Sequence, residues 1–212
     1  NDVILTHISA TNDYVCAIGS NNKVYCWGRN DVGNSTSSVP VAVAQGAIPN
    51  GVNLTHISAG GGHTCALGSN GKVYCWGSGK HGQLGNNSTS NSLVPVAVAQ
   101  GTIPAGITLT HISAGGTHTC ALGSDNKAYC WGSNFFGQLG DNSTTDSSTP
   151  VAVSQGAIPS GTNLTYISVG HEHTCALGSN GKAYCWGQNS YGKLGNNSNS
   201  SSSTPVAVAP GA

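Results

Sequence analysis

Two cysteines ten positions apart recur four times along the chain: Cys16 with Cys26, Cys65 with Cys75, Cys120 with Cys130, and Cys175 with Cys185. In the second copy they frame a Gly-Ser-Asn-Gly turn within His63-Thr64-Cys65-Ala66-Leu67-Gly68-Ser69-Asn70-Gly71-Lys72-Val73-Tyr74-Cys75-Trp76-Gly77. Successive copies begin 49, 55 and 55 residues apart, counted from Cys16 to Cys65, Cys120 and Cys175. Each hairpin is preceded by a segment such as Leu54 to Gly60 and followed by one such as Pro95 to Ala99. A Ser/Thr/Asn-rich loop, Asn86 to Ser92 in the second copy, lies between hairpin and trailing segment. A unit of about fifty residues cannot bury a hydrophobic face alone, so repetition at this period requires neighbours to share their cores.

No segment carries a useful helical period. Gly and Pro instead punctuate four short strands per unit, read in the second copy as 55–59, 63–67, 72–76 and 96–99. Four strands in about fifty residues match a blade of a β-propeller, with units set around an axis. The expected fold class is therefore all-β, four blades of four antiparallel strands. They form one array over residues 1–212, with repeats at about 1–49, 50–104, 105–159 and 160–212.

The run from His56-Ile57-Ser58-Ala59-Gly60 through His63-Thr64-Cys65-Ala66-Leu67, Cys75-Trp76-Gly77 and Gly82-Gln83-Leu84-Gly85 resembles the repeat of the regulator of chromosome condensation family. The resemblance covers essentially the whole chain. It implies one blade per repeat in a ring that is commonly seven-bladed. Three departures stand out: cysteine pairs in every copy, four copies rather than seven, and no Gly-Gln-Leu-Gly turn in the first. Trp27 to Pro40 accordingly spans 13 positions where Trp76 to Pro95 spans 19. An open four-unit array leaves half-covered blade faces. The chain is thus expected to be a piece of a longer propeller, or to complete its ring with another copy, rather than to stand as a closed monomer.

Pairing Ala66 with Tyr74 and Leu67 with Val73 sets Cys65 opposite Cys75. The same register sets Cys16 opposite Cys26, Cys120 opposite Cys130 and Cys175 opposite Cys185. Opposed residues on antiparallel strands bring their Cβ atoms close enough for a disulfide. A buried thiol pair and a metal site are the alternatives. Zinc, however, favours a tighter Cys-x₂₋₄-Cys knuckle, and no Cys-x-x-Cys redox motif occurs. Four bridges imply an oxidising, extracellular or cell-surface location. Each closes a loop worth roughly 2.5–3 kcal/mol on the chain-entropy account.

Residues kept in every copy serve the blade. Trp27, Trp76, Trp131 and Trp186 read as packing between blades, and Leu84, Leu139 and Leu194 as plugs at blade edges. His63, His118 and His173 recur before the cysteines with Tyr14 in the first copy; His7, His56 and His111 form a second set with Tyr166 in the fourth. Both sets admit tyrosine, which points to a hydrogen-bonding tip rather than catalysis or ligation.

Residues that vary can carry specificity. The loop after Trp-Gly reads Arg29-Asn30-Asp31-Val32, Ser78-Gly79-Lys80-His81, Ser133-Asn134-Phe135-Phe136 and Gln188-Asn189-Ser190-Tyr191. Both phenylalanines of the sequence fall in this loop. The candidate partner-binding residues are Arg29, Lys80, His81, Phe135, Phe136 and Tyr191, together with Glu172 of His171-Glu172-His173, the sole Glu. The aromatic pair reads equally as a recognition patch or as filling between blades. His171-Glu172-His173 reads as a solvated turn, because alternation on a strand would point Glu172 away from the imidazoles. Asn34, Asn53, Asn87, Asn142, Asn163 and Asn199 stand in Asn-x-Ser/Thr triplets, open to glycosylation in a suitable host.

Seven Lys/Arg balance seven Asp/Glu, which removes the electrostatic reason to expect nucleic acid. No run of about 18 apolar residues suits a membrane span, and Asn1-Asp2-Val3 does not open a secretory signal. The carboxylates Asp2, Asp13, Asp31, Asp125, Asp141, Asp146 and Glu172 are scattered over the copies, and no Ser/His/Asp order or phosphate loop is present. The reading is a non-catalytic extracellular module without cofactor or metal, binding a protein partner or further copies of itself in adhesion or assembly. A secreted inhibitor acting through rim loops is the alternative. Guanine-nucleotide exchange with chromatin contact, the resemblance's best-known association, fits the charge and the cysteines poorly.

Overall fold

A computed structural model describes residues 3–29 and 36–210. The strands are β1 (Leu5–Ala10), β2 (Tyr14–Gly19), β3 (Val24–Gly28), β4 (Ser37–Ala42), β5 (Leu54–Ala59), β6 (His63–Gly68), β7 (Val73–Gly77) and β8 (Ser92–Ala97). They continue as β9 (Leu109–Ala114), β10 (His118–Gly123), β11 (Ala128–Gly132), β12 (Ser147–Ala152), β13 (Leu164–Val169), β14 (His173–Gly178), β15 (Ala183–Gly187) and β16 (Ser202–Ala207). They form four separate antiparallel sheets of four, each in sequence order. The first strands β1, β5, β9 and β13 lie against one another along the inner side, so the sheets are propeller blades.

The central hairpin of each blade owes its form to its turn. Asn22 and Asn126 (φ 60°) and Gly71 and Gly181 (φ 70° and 75°) take the left-handed conformation there. In the second blade Asn70 Nδ2 donates to Tyr74 Oη while its Oδ1 accepts from Lys72 N, locking the turn to the returning strand. The register then places Cys65 opposite Cys75 and Thr64 opposite Trp76. The first blade repeats it, with Cys16 opposite Cys26.

The fourth strand departs from expectation: β8 begins at Ser92, inside the polar tract read as loop, and ends at Ala97. Gly77 pairs with Ser92 and Cys75 with Val96, so an irregularity absorbs two extra residues around Pro95. This outer strand has no partner on its far side, so a proline lacking an N–H does no harm, and polar side chains can face water.

The core lies between blades rather than within them. Cys65, Leu67, Val73, Cys75, Leu84 and Ile103 of the second blade share one buried cluster with Leu109, Ile112, Ala121, Tyr129 and Trp131 of the third. Equivalent clusters join the first blade, through Cys16 and Cys26, to the second around Trp76, and the third to the fourth around Trp186. Each cluster holds the cysteine pair of the leading blade and the tryptophan of the following one. Trp131 buries its apolar ring while Nε1–H donates to Gln83 O at 2.9 Å, and Trp186 does the same to Gln138 O.

Candidate functional site

The blade interface is the most elaborated polar feature. His63 Nε2 lies 2.7 Å from Thr119 Oγ1, which donates onward to Gln83 O at 3.0 Å. His118 repeats this with Thr174 and Gln138 O at 2.9 and 3.0 Å. In the first blade Tyr14 Oη reaches Thr64 Oγ1 and donates to His63 O. His63 Nδ1 and His118 Nδ1 have no partner and are buried. The rings are therefore neutral with the proton on Nε2, donating to threonine. Burial pushes His63 down to about 4, and burial with neighbouring histidines pushes His118 down to about 3. Burial pushes Tyr14 up to about 12 against its hydrogen bonds to Thr64 and Gly60. Gly60 leaves room for the imidazole, because a Cβ there would sit 2.8 Å from His63 Cε1.

The second histidine set behaves differently. His7, His56, His111 and Tyr166 line the inner strands with ring centroids 5.6, 6.0 and 4.7 Å apart in turn. The rings meet at interplanar angles of 48°, 62° and 51°, tilted or edge-on rather than stacked. His111 is lowered by burial and by His56, partly offset by a hydrogen bond to the Ile167 backbone.

All four cysteine pairs are disulfides. The S–S distances are 2.09 Å for Cys16 with Cys26, 2.13 Å for Cys65 with Cys75, 2.16 Å for Cys120 with Cys130 and 2.14 Å for Cys175 with Cys185. No cysteine is free among the described residues. Among those residues no group of three or more His, Cys, Asp or Glu side chains is placed to hold a metal. His171 Nδ1 stands 3.9 Å from Glu172 Oε1 in the turn before β14.

The strand ends form two rims. One carries the turns before β2, β6, β10 and β14 and the loops after β3, β7, β11 and β15; every candidate partner-binding residue lies on it. Arg29 and Lys80 meet Asp13 and Gly61 in a cleft of about 220 Å³ between the first two blades. His81 Nδ1 lies 3.4 Å from Asp146 Oδ2 of the third blade. Phe135 is 74% exposed and stands edge-on to the half-buried Phe136, centroids 4.9 Å apart. Tyr191, in a short 3₁₀ turn over Ser190–Gly192, is 97% exposed. The Asn30–Val32 part of the first loop and the Asn34 triplet lie outside the described residues.

Asn134 and Asn189 of these variable loops are not rim contacts but loop cores. Asn134 is fully buried, donates to Asp141, Ser143 and Thr145, and accepts from Leu139 N. Asn189 makes the equivalent set, including Leu194 N. Each holds its aromatic loop open over a leucine plug. The same residue type three positions after the tryptophan in three copies, Asn30, Asn134 and Asn189, is the signal the sequence offers for this role.

The opposite rim carries the hairpin turns, each with one exposed lysine: Lys23, Lys72, Lys127 and Lys182. Three grooves of about 520, 290 and 410 Å³ open beside the first three of these. Four lysines and Asp125 here face three cations (Arg29, Lys80, Lys193) and four carboxylates (Asp13, Asp141, Asp146, Glu172) on the other rim, among the described residues. A neutral total thus conceals opposite rims. The recurrent lysine is visible in the sequence, where nothing distinguishes it from an ordinary turn residue.

Blades joined by alternating hydroxyl and imidazole contacts, with loops of varied sequence on one rim, define a repeat-built β-propeller array. The chain belongs to the regulator of chromosome condensation (RCC1) repeat family, whose models match residues 70–122, 125–177 and 180–211, and residues 5–34, 54–83, 109–138 and 165–193. It is 34% identical over 116 residues to the ultraviolet-B receptor UVR8 of Arabidopsis thaliana, covering 55% of this chain and 25% of that protein. The fold superposes on the crystal structure of human WBSCR16 with a TM-score of 0.82 at 22% identity, over 99% of this chain and 54% of that one. On yeast RCC1 (Prp20), in a crystal structure with Kap60 bound, the TM-score is 0.79 at 19% identity, over 99% and 50%. The chain therefore spans a quarter of that curated relative and about half of each solved chain. No helix among the described residues is long and apolar enough to cross a membrane.

Proposed function

We propose that the chain is a non-catalytic, extracellular or cell-surface binding module, which presents the rim of Arg29, Lys80, His81, Phe135, Phe136, Glu172 and Tyr191 to a protein partner. The observation that carries this reading is the exposure of Phe135 and Tyr191 on loops anchored by buried Asn134 and Asn189. An aromatic side chain held out on a rigid base is the usual form of an interface anchor. The four disulfides support an oxidising compartment. Kap60 bound to yeast RCC1, a protein of the same fold, supports a role in protein recognition. A rim that docks on an enzyme would make the module an inhibitor, and a screen against secreted hydrolases separates that case.

The test is a Phe135→Ala/Phe136→Ala double variant. Phe135 is exposed, so the fold should hold while capture of the native surface partner falls by at least tenfold, the loss of one anchor of about 1.4 kcal/mol. Undiminished capture by a folded variant rejects the aromatic rim.

A further inference from the structure

The inner strands of the blades share one irregularity. Leu5 pairs with Gly19 but His7 with Ile18, and Leu54 pairs with Gly68 but His56 with Leu67, so Thr6 and Thr55 are each one residue in excess. The same step precedes His111 and Tyr166. A bulge of this kind re-aims the side chains beside it. Each surplus threonine turns its hydroxyl back to the partner strand. Thr6, Thr55, Thr110 and Thr165 donate to the carbonyls of Ile18, Leu67, Leu122 and Leu177 at 3.2, 3.2, 3.3 and 3.3 Å. Two residues beyond His7, Ser9 Oγ accepts Ala59 N at 3.0 Å and fixes β1 against β5. His7 and His56 are therefore set side by side on anchored strands, yet both are exposed.

An imidazole ligates a metal through a ring nitrogen that carries no proton. The Thr6 hydroxyl gives its single proton to Ile18 O, so its oxygen, 3.3 Å from His7 Nδ1, accepts there. Neutral His7 thus keeps its proton on Nδ1 and its lone pair on Nε2. An outer hydrogen bond of this kind is what orients a ligating histidine.

The spacing fits as well. Metal–nitrogen bonds of about 2.0–2.1 Å put each ring centroid about 3.2 Å from the ion. Two imidazoles on one ion then have centroids about 5.2 Å apart at a tetrahedral angle and about 6.4 Å apart in line. The His7 and His56 centroids are 5.6 Å apart, inside that range, with the rings tilted at 48°. Tyrosine, which argues against ligation in the sequence, stands only in the fourth unit of this set and leaves the pair intact.

The donor set selects the ion. All eight cysteines are in disulfides and the sequence has no methionine, so no thiolate or thioether competes. Two imidazoles completed by water suit a divalent transition ion, and copper(II) binds such donors most tightly in the first-row series.

We infer that His7 and His56 form a two-imidazole site for a divalent transition-metal ion, copper(II) above zinc(II), on the inner side of the array. Neither residue belongs to the aromatic rim, so the site is separate from the surface proposed for a protein partner.

The experiment titrates the intact chain with copper(II), and separately with zinc(II), in a non-coordinating buffer, read by calorimetry and by the imidazole proton resonances. One copper(II) ion per chain should bind at least tenfold more tightly than zinc(II). His7 and His56 signals should broaden before those of His81 and His171, the exposed histidines of the rim. His7→Gln and His56→Gln, both exposed and expected to keep the fold, should each weaken copper binding at least tenfold, while His171→Gln should not. Unchanged copper affinity in a folded His56→Gln chain overturns the site, as does a loss confined to His171→Gln. Zinc(II) bound as tightly as copper(II) overturns the choice of ion.

Discussion

Neutral imidazoles sealed between blades make acid the natural stress for this protein. His63 and His118 are held at about 4 and about 3 in the folded state, against about 6.5 when unfolded. Between these limits the unfolded chain binds more protons, so stability is full above about pH 6.5 and declines as pH falls toward the folded values. The loss at pH 5 is on the order of 2 kcal/mol for each ring. Urea unfolding at pH 7 and pH 5 should show it, and His63→Gln, which retains a donor for Thr119, should remove about half. A flat profile between these pH values would mean that the rings are protonated in the fold. That the histidines make hydrogen bonds at their tips can be inferred from their exchange with tyrosine. That the acceptor is a threonine some 55 residues on cannot, because no local spacing encodes a contact between blades.

At the scale of strands, the disulfide joins the two central members of each blade and also lines the cluster shared with the next. Replacing Cys120 and Cys130 together by alanine should lower unfolding free energy by about 2.5–3 kcal/mol from loop entropy, and further from the cavity left beneath Trp186. The same change at Cys175 and Cys185 should cost less, since the face of that blade is open and Leu177 beside it is half exposed. Denaturant titration of both variants measures the difference. Cysteine register is legible in the sequence because cross-strand pairing follows from counting back from a known turn. The start of β8 is not, because Ser92-Leu93-Val94 after a polar tract reads as loop until its pairing with Gly77 is seen. Asn134 is hidden for a related reason: an amide that satisfies four backbone and side-chain partners inside a loop looks, in sequence, like any solvated asparagine.

For the molecule as a whole, stability resides in joints rather than in units, and the joints are unequal. Trp131 is fully buried and donates to Gln83 O, whereas Trp27 is half-buried on the open side of the first blade. Trp131→Ala should cost about 3–5 kcal/mol and Trp27→Ala well under half of that. Comparable losses from thermal or chemical unfolding would mean that the first blade is already covered. The four units and the blade architecture are plain from the sequence, because repetition and turn chemistry are local. The division of charge between rims is not, because a net charge of zero says nothing of where the charges lie.

The threonine contact also governs how such an array can grow. Units two, three and four present the same pair of halves, imidazole outward and hydroxyl inward, so a duplicated or deleted copy among them restores every joint. Insertion of a unit like the first, with Val15 in the hydroxyl position, would strand a histidine wherever it followed one of them. Unequal recombination would thus be tolerated among units two to four and penalised wherever a unit like the first came to lie behind one of them.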